Sequence, residues 1–135
     1  MAEKIKTKNE EKTKAAIYLR KAGEFHDVML SAQATGKWNA AGLNAVHCVI
    51  SAADAVLVLY AGLRSMSKDH GDVFRLLTLH IPKDRLEGVQ RHLEAVIRKK
   101  NLIEYESREC APDDARDMIK HAERFFKWAQ QQVRQ

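Results

Sequence analysis

Cysteine and proline each occur only twice in these 135 residues, and the scarcity narrows what the chain can be. Cys48 and Cys110 form no metal-ligand pattern, and no signal-peptide pattern precedes them, so reduced thiols in a cytoplasmic protein are expected. No segment alternates apolar and polar residues with period two, which argues against a sheet. An uninterrupted apolar run of about 18 residues is also missing. Asn44, His47 and Asp54 break up the most apolar stretch, and no membrane span is expected. There is no internal repeat, and no low-complexity tract beyond a short lysine-rich start. The phosphate-binding glycine loop, the nucleophile elbow and the paired histidines of zinc proteases are all absent, so the obvious enzyme signatures are missing.

What the chain does have is helical periodicity. From 38 to 64, Leu43, Val46, Val49, Ile50, Val56, Leu57, Val58, Leu59 and Tyr60, together with many alanines, surround the axis of one long helix. A helix apolar all round is buried among others, so the rest of the chain should pack on it. Asn44, His47, Ser51 and Asp54 follow one another at steps of three, four and three, which puts them on one face. This polar seam is either a structural lock or part of a site, because buried polar groups need partners. Asp54 in particular should meet a basic or hydroxyl-bearing side chain, with Arg98 and Tyr105 the leading candidates.

Around this centre, Ala15, Tyr18, Ala22, Phe25, Met29 and Ala32 predict an amphipathic helix over 12–34. Gly36 should end it, and Asn39 is the best N-cap for the central helix. Asp69 can cap a short third helix over 70–79. Asp84 and Glu87 resemble a capping box for a fourth, reaching Lys100, and Pro112 with Asp113 and Asp114 opens the last. The predicted fold is all-α: an up-and-down antiparallel bundle of four long helices plus a short one, in one domain over 12–134. Ala40, Ala41, Gly42 and Ala45 leave room for another helix to approach, from this chain or from a partner. Residues 1–11 are expected as a frayed, solvated basic terminus.

The formal net charge of +5 and the pI near 9.3 favour an anionic partner such as RNA or a nucleotide phosphate. His26, His47, His70, His80, His92 and His121 are scattered, and only His47 shares a clear buried face with a carboxylate, Asp54. Two turns of helix, about 10 Å, separate that pair, so neither a metal nor another cofactor is expected.

Trp38, Asn39, Ala40 and Ala41, then His47, then the run Ser51 to Ala55, then Gly62 to Ser65 and His70 resemble the second helix and following turn of HEPN domains. Arg98, Tyr105 and the opening of the final helix at Pro112 to Ala115 resemble the rest of that family. The resemblance covers roughly 12–134 and implies a helical bundle that homodimerises. It also implies an association with nucleotides or RNA, or with a separate nucleotidyltransferase in toxin–antitoxin or defence systems. Some members are metal-independent RNases, in which an arginine is followed after four to six residues by a histidine. An imidazole can then move a proton while a guanidinium steadies the phosphate. Spacing alone does not choose among Arg20/His26, Arg64/His70, Arg75/His80, Arg85/His92 and Arg116/His121. By position Arg98 matches the family arginine, and Ile103, Glu104 and Tyr105 stand where its histidine would. That registration implies a non-catalytic binding module. Arg64 with His70, or a site formed across a dimer, is the catalytic alternative, and a purely structural adaptor is a third reading.

Overall fold

Alanine sets the geometry of the centre. The computed structural model describes residues 4–104 and 107–134, with the backbone alone at Leu102, and its longest helix is α2 (Trp38–Ala61). Along α2 the buried residues Ala41, Gly42, Ala45, Ala52, Ala53 and Ala55 let neighbouring helices come close, and bulkier side chains fill the space from outside. Met29 comes from α1 (Ala15–Ala34), Leu93 and Val96 from α5 (Gln90–Glu104), and Met118 and Phe125 from α6 (Pro112–Val133). α2 meets all three of these helices, as well as α3 (Gly71–His80). It is long and apolar enough to cross a membrane by length and composition, and 67% of its most apolar window is buried inside the bundle.

The all-α bundle is therefore present with its four long helices, joined among the described residues by two short ones, α3 and α4 (Lys83–Leu86). The expected fourth helix over 84–100 is divided. Glu87 turns extended and Gly88 takes φ 93°, a left-handed conformation that suits glycine, so Asp84 and Glu87 form no capping box. α5 then begins at Gln90 and runs past Lys100 to Glu104. Trp128 Nε1 donates to the Arg85 carbonyl at 3.0 Å, which ties α4 to α6.

Asn39 does not cap α2. The helix starts at Trp38, and the Asn39 Oδ1 accepts from the Cys110 amide at 2.7 Å, fastening the start of α2 to the segment before α6. The small patch beside it is filled from within the chain. A Cβ on Gly42 would lie 2.7 Å from Ile103 Cδ1 and 3.2 Å from Cys110 Sγ, so the approaching helix is internal. Asp69 does act near the start of α3, its Oδ1 accepting from the Gly71 amide at 2.9 Å.

A small sheet replaces part of the expected frayed start. β1 (Thr7–Asn9) pairs antiparallel with β2 (Leu63–Ser65), with Lys8 opposite Arg64. Gly62 ends α2 at φ 64° and sends the chain out extended, which leaves backbone groups in need of partners; β1 supplies them. The Glu10 amide to the Gly62 carbonyl and the Met66 amide to the Lys6 carbonyl, both at 2.9 Å, flank the pairing.

Candidate functional site

The hairpin of α1 and α2 turns at Gly36, and residues equidistant from it face one another. Phe25 and His47, each eleven residues away, stack with ring centroids 5.2 Å apart. Tyr18 and Asp54, each eighteen away, lie at the far end, where the chain returns through β2 and brings Arg64. Arg64 Nη1 donates to Tyr18 Oη at 3.3 Å, and its guanidinium lies 5.4 Å from the centre of that ring. Lys21 Nζ stands 5.4 Å from the same centroid. This mirror relation about Gly36 is the sequence signal that would have led to Tyr18 and Lys21.

Asp54 is buried at 7% exposure, and its Oδ1 has no hydrogen-bond partner. Burial pushes its pKa up to about 7, against the attraction of Arg64 and then of Lys21. At neutral pH the carboxyl is thus poised between its two forms. The Tyr18 hydrogen bond, with smaller help from Asp54 and Glu10, holds the Arg64 pKa above its ordinary value.

The rest of the seam is graded in depth. His47 is exposed, Asn44 and Ser51 are half-buried, and Asn44 Nδ2 donates to its own helix at the Ala40 carbonyl, 2.8 Å away. Arg98 does not reach Asp54. It lies on the exposed side of α5, where Nη2 donates to Glu94 Oε1 at 2.7 Å, the neighbour that helical spacing gives it one turn back. Tyr105, the other expected partner, lies outside the described residues.

Arg64 and His70 share a loop but have different surroundings. His70 is half-buried at the start of α3, near Lys100 and Glu104 of α5 and His47 of α2. Burial is the largest cause lowering its pKa, followed by the positive charge of Lys100, while Glu104 opposes them. Lys100 is itself 9% exposed and pairs with Glu104 at 3.1 Å.

A second polar cluster lies between α5 and α6, and periodicity gave no hint of it. His92 Nδ1 and His121 Nδ1 are 2.8 Å apart, and His121 Nε2 faces Asp117 Oδ1 at 3.5 Å. With His121 keeping its proton toward the carboxylate, its Nδ1 accepts from His92. Lys99 Nζ completes the chain, donating to Asp114 at 3.1 Å and to Asp117 at 3.2 Å. Burial leads the causes that lower the pKa of both imidazoles.

Burial pushes the Cys48 thiol up to about 12, and it also raises Cys110, so neither is an activated nucleophile. Among the described residues no group of three or more His, Cys, Asp or Glu side chains could hold a metal ion. No curated protein matches the chain. A family model of the HEPN domain matches residues 15–132, from the first residue of α1 into the last turn of α6, and the chain belongs to the HEPN domain family.

Proposed function

We propose that this HEPN domain is a non-catalytic module that associates with RNA or a nucleotide, alone or as the partner of a separate nucleotidyltransferase in a toxin–antitoxin or defence system, and that it works as a homodimer. The observation that carries the non-catalytic reading is the divergence of Arg64 and His70. Phosphodiester cleavage needs a guanidinium and an imidazole to converge on one phosphate. Arg64 instead bonds Tyr18 in the neighbourhood of Asp54, and His70 lies in the field of Lys100 and Glu104. Arg98 is engaged by Glu94. Membership of the family and a formal charge of +5 support an anionic ligand.

One observation favours the catalytic alternative. His70 is held toward its neutral form beside the ion pair of Lys100 and Glu104, a setting in which an imidazole can accept a proton. A partner copy would then have to bring the arginine. Incubating the purified protein with labelled RNA in a chelator separates the two. No cleavage is the expected result, and cleavage abolished by His70→Ala would overturn the proposal. Sedimentation equilibrium tests the dimer, which a monomer at micromolar concentration would refute. Complete lack of RNA or nucleotide affinity would leave the structural adaptor.

A further inference from the structure

We infer that the groove between α1 and α6 is where this module holds a single-stranded nucleic acid, through the sugar-phosphate backbone. The inference rests on the RNA-associated reading above and gives it a place in the fold.

The groove is an open trough of about 1150 Å³. That is larger than the roughly 300–1,000 Å³ of small-molecule sites, as an extended ligand requires. Its floor is apolar, made by Leu19, Ile119 and Phe126, with the His26 ring 5.0 Å from that of Phe126. Besides Arg116, five cations line it: Arg20 on α1, and Lys120, Arg124, Lys127 and Arg134 along or just beyond α6. The four from α6 follow at steps of four, three and seven, so they share one face over about 21 Å of helix.

None of these five makes an ion pair with a carboxylate among the described residues. Two of the three carboxylates in the lining, Glu123 and Asp27, lie against His26, which lines the groove with them. His26 lies 3.1 Å from Glu123 and 3.8 Å from Asp27, and a sixth groove cation, Arg116, is taken by Asp113 at 3.2 Å. Glu24 is the one further carboxylate in the lining. A row of unpaired cations over an apolar and aromatic floor is the arrangement that tracks a single strand without reading its sequence.

Charge also argues against a second copy as the occupant. A two-fold interface places the same patch against itself, so docking through this groove would set one basic row against another.

The test is fluorescence anisotropy of a labelled oligouridylate of about 15 nucleotides over roughly 50 to 200 mM salt, with the full chain. If all five cations meet phosphates, log K should fall with log salt at a slope of about −3.5, from about −0.7 for each phosphate neutralised on a single strand. Arg124→Gln combined with Lys127→Gln, both exposed positions, should weaken binding about tenfold and flatten the slope by about 1.4. The equal charge change Lys68→Gln with Lys83→Gln, at exposed positions away from the groove, should weaken binding far less. Equal loss in the two double variants, or no loss in either, removes the groove as the site while leaving the RNA reading in place. No salt-dependent binding by the unaltered chain removes both. Self-association that Arg124→Gln and Lys127→Gln disrupt, without oligouridylate binding, makes the groove a protein interface and overturns the inference.

Discussion

At the contact of α1 with α2 a carboxyl is buried among alanines with one oxygen unpaired, whereas at the contact of α5 with α6 two imidazoles bond each other and lead through Asp117 to Lys99. Both places face the same cost, that of removing a titratable group from water. At Asp54 the cost is met by holding a proton; at His92 it is met by a partner. The consequence is that the two respond to pH with opposite signs. The Asp54 pKa is about 7 in the fold against an ordinary value of 3.8, so through that window the fold keeps a proton that the unfolded chain has released. Stability from this group is full below about pH 4 and declines as pH rises to about 7. His92 and His121 have folded pKa values below 6.5, so on acidification the unfolded chain takes up protons first. Their contribution is full above about pH 6.5 and is lost as pH falls further.

Removing the charge at Asp54 gives the largest expected effect. Asp54→Asn keeps the shape of the neutral acid and cannot ionise, so at pH 8 it should be more stable than the unaltered chain by up to about 4 kcal/mol, and nearly equal to it at pH 4. Had Arg98 paired with a charged Asp54, as the sequence suggested, the same substitution would lower the melting temperature. Thermal unfolding at the two pH values decides the sign. A lower melting temperature at pH 8 would mean that the carboxylate is paired as an anion, and the contrast with the histidines would collapse.

The next effect sharpens the other half of the comparison. His92→Gln breaks a bond at a position only 4% exposed and leaves His121 Nδ1 unsatisfied, which should cost about 1–3 kcal/mol at pH 8. It should also flatten the loss of stability below about pH 6.5, since only one of the two imidazoles remains to take up a proton. Urea midpoints at pH 8 and 5.5 measure both quantities. An undiminished acid loss in the variant would assign that loss to other groups.

Most of the fold was legible because its signals are local. The all-round apolar pattern of α2, Gly36 between the first helices and Pro112 at the start of α6 each act within a few residues. The corrections come from interactions between distant parts. β1 exists because α2 ends at Gly62 with extended chain beside it, and nothing in the alternation of Thr7, Lys8 and Asn9 announces a strand. Asn39 would cap a helix in isolation, yet the Cys110 amide claims its oxygen. Gly88 divides what periodicity joined. For the site, spacing put four polar residues on one face of α2 but was silent on depth. His47 lies at the open edge and Asp54 beneath α1 and β2, and only the packed hairpin distinguishes them. Spacing alone puts four of the five groove cations on one face of α6, and Arg20, up to 114 positions away in sequence, joins them only because α1 lies beside α6.

The smallest effect tests what keeps Asp54 near neutrality instead of higher. Arg64 is the first of the two charges that oppose burial there, and it is aimed by the Lys8 register of the small sheet and by the Tyr18 hydroxyl. Arg64→Gln removes that attraction, so the pH at which Asp54 ionises should move upward, followed by the carboxyl carbon-13 shift of labelled aspartate. The stability change at pH 8 should be a loss of about 1 kcal/mol or less, because the guanidinium is partly exposed and water screens it. Arg64→Lys separates charge from geometry. Lysine retains the positive charge but not the planar fork that meets Tyr18 and lies against its ring. If charge alone tunes Asp54, the lysine variant should titrate close to the unaltered chain. If the contact with Tyr18 is what holds the charge near, it should move part of the way toward the glutamine variant. Should Asp54 ionise at the same pH in all three proteins, Arg64 has no hold on it, and the buried carboxyl and the loop that follows α2 are separate features of the fold.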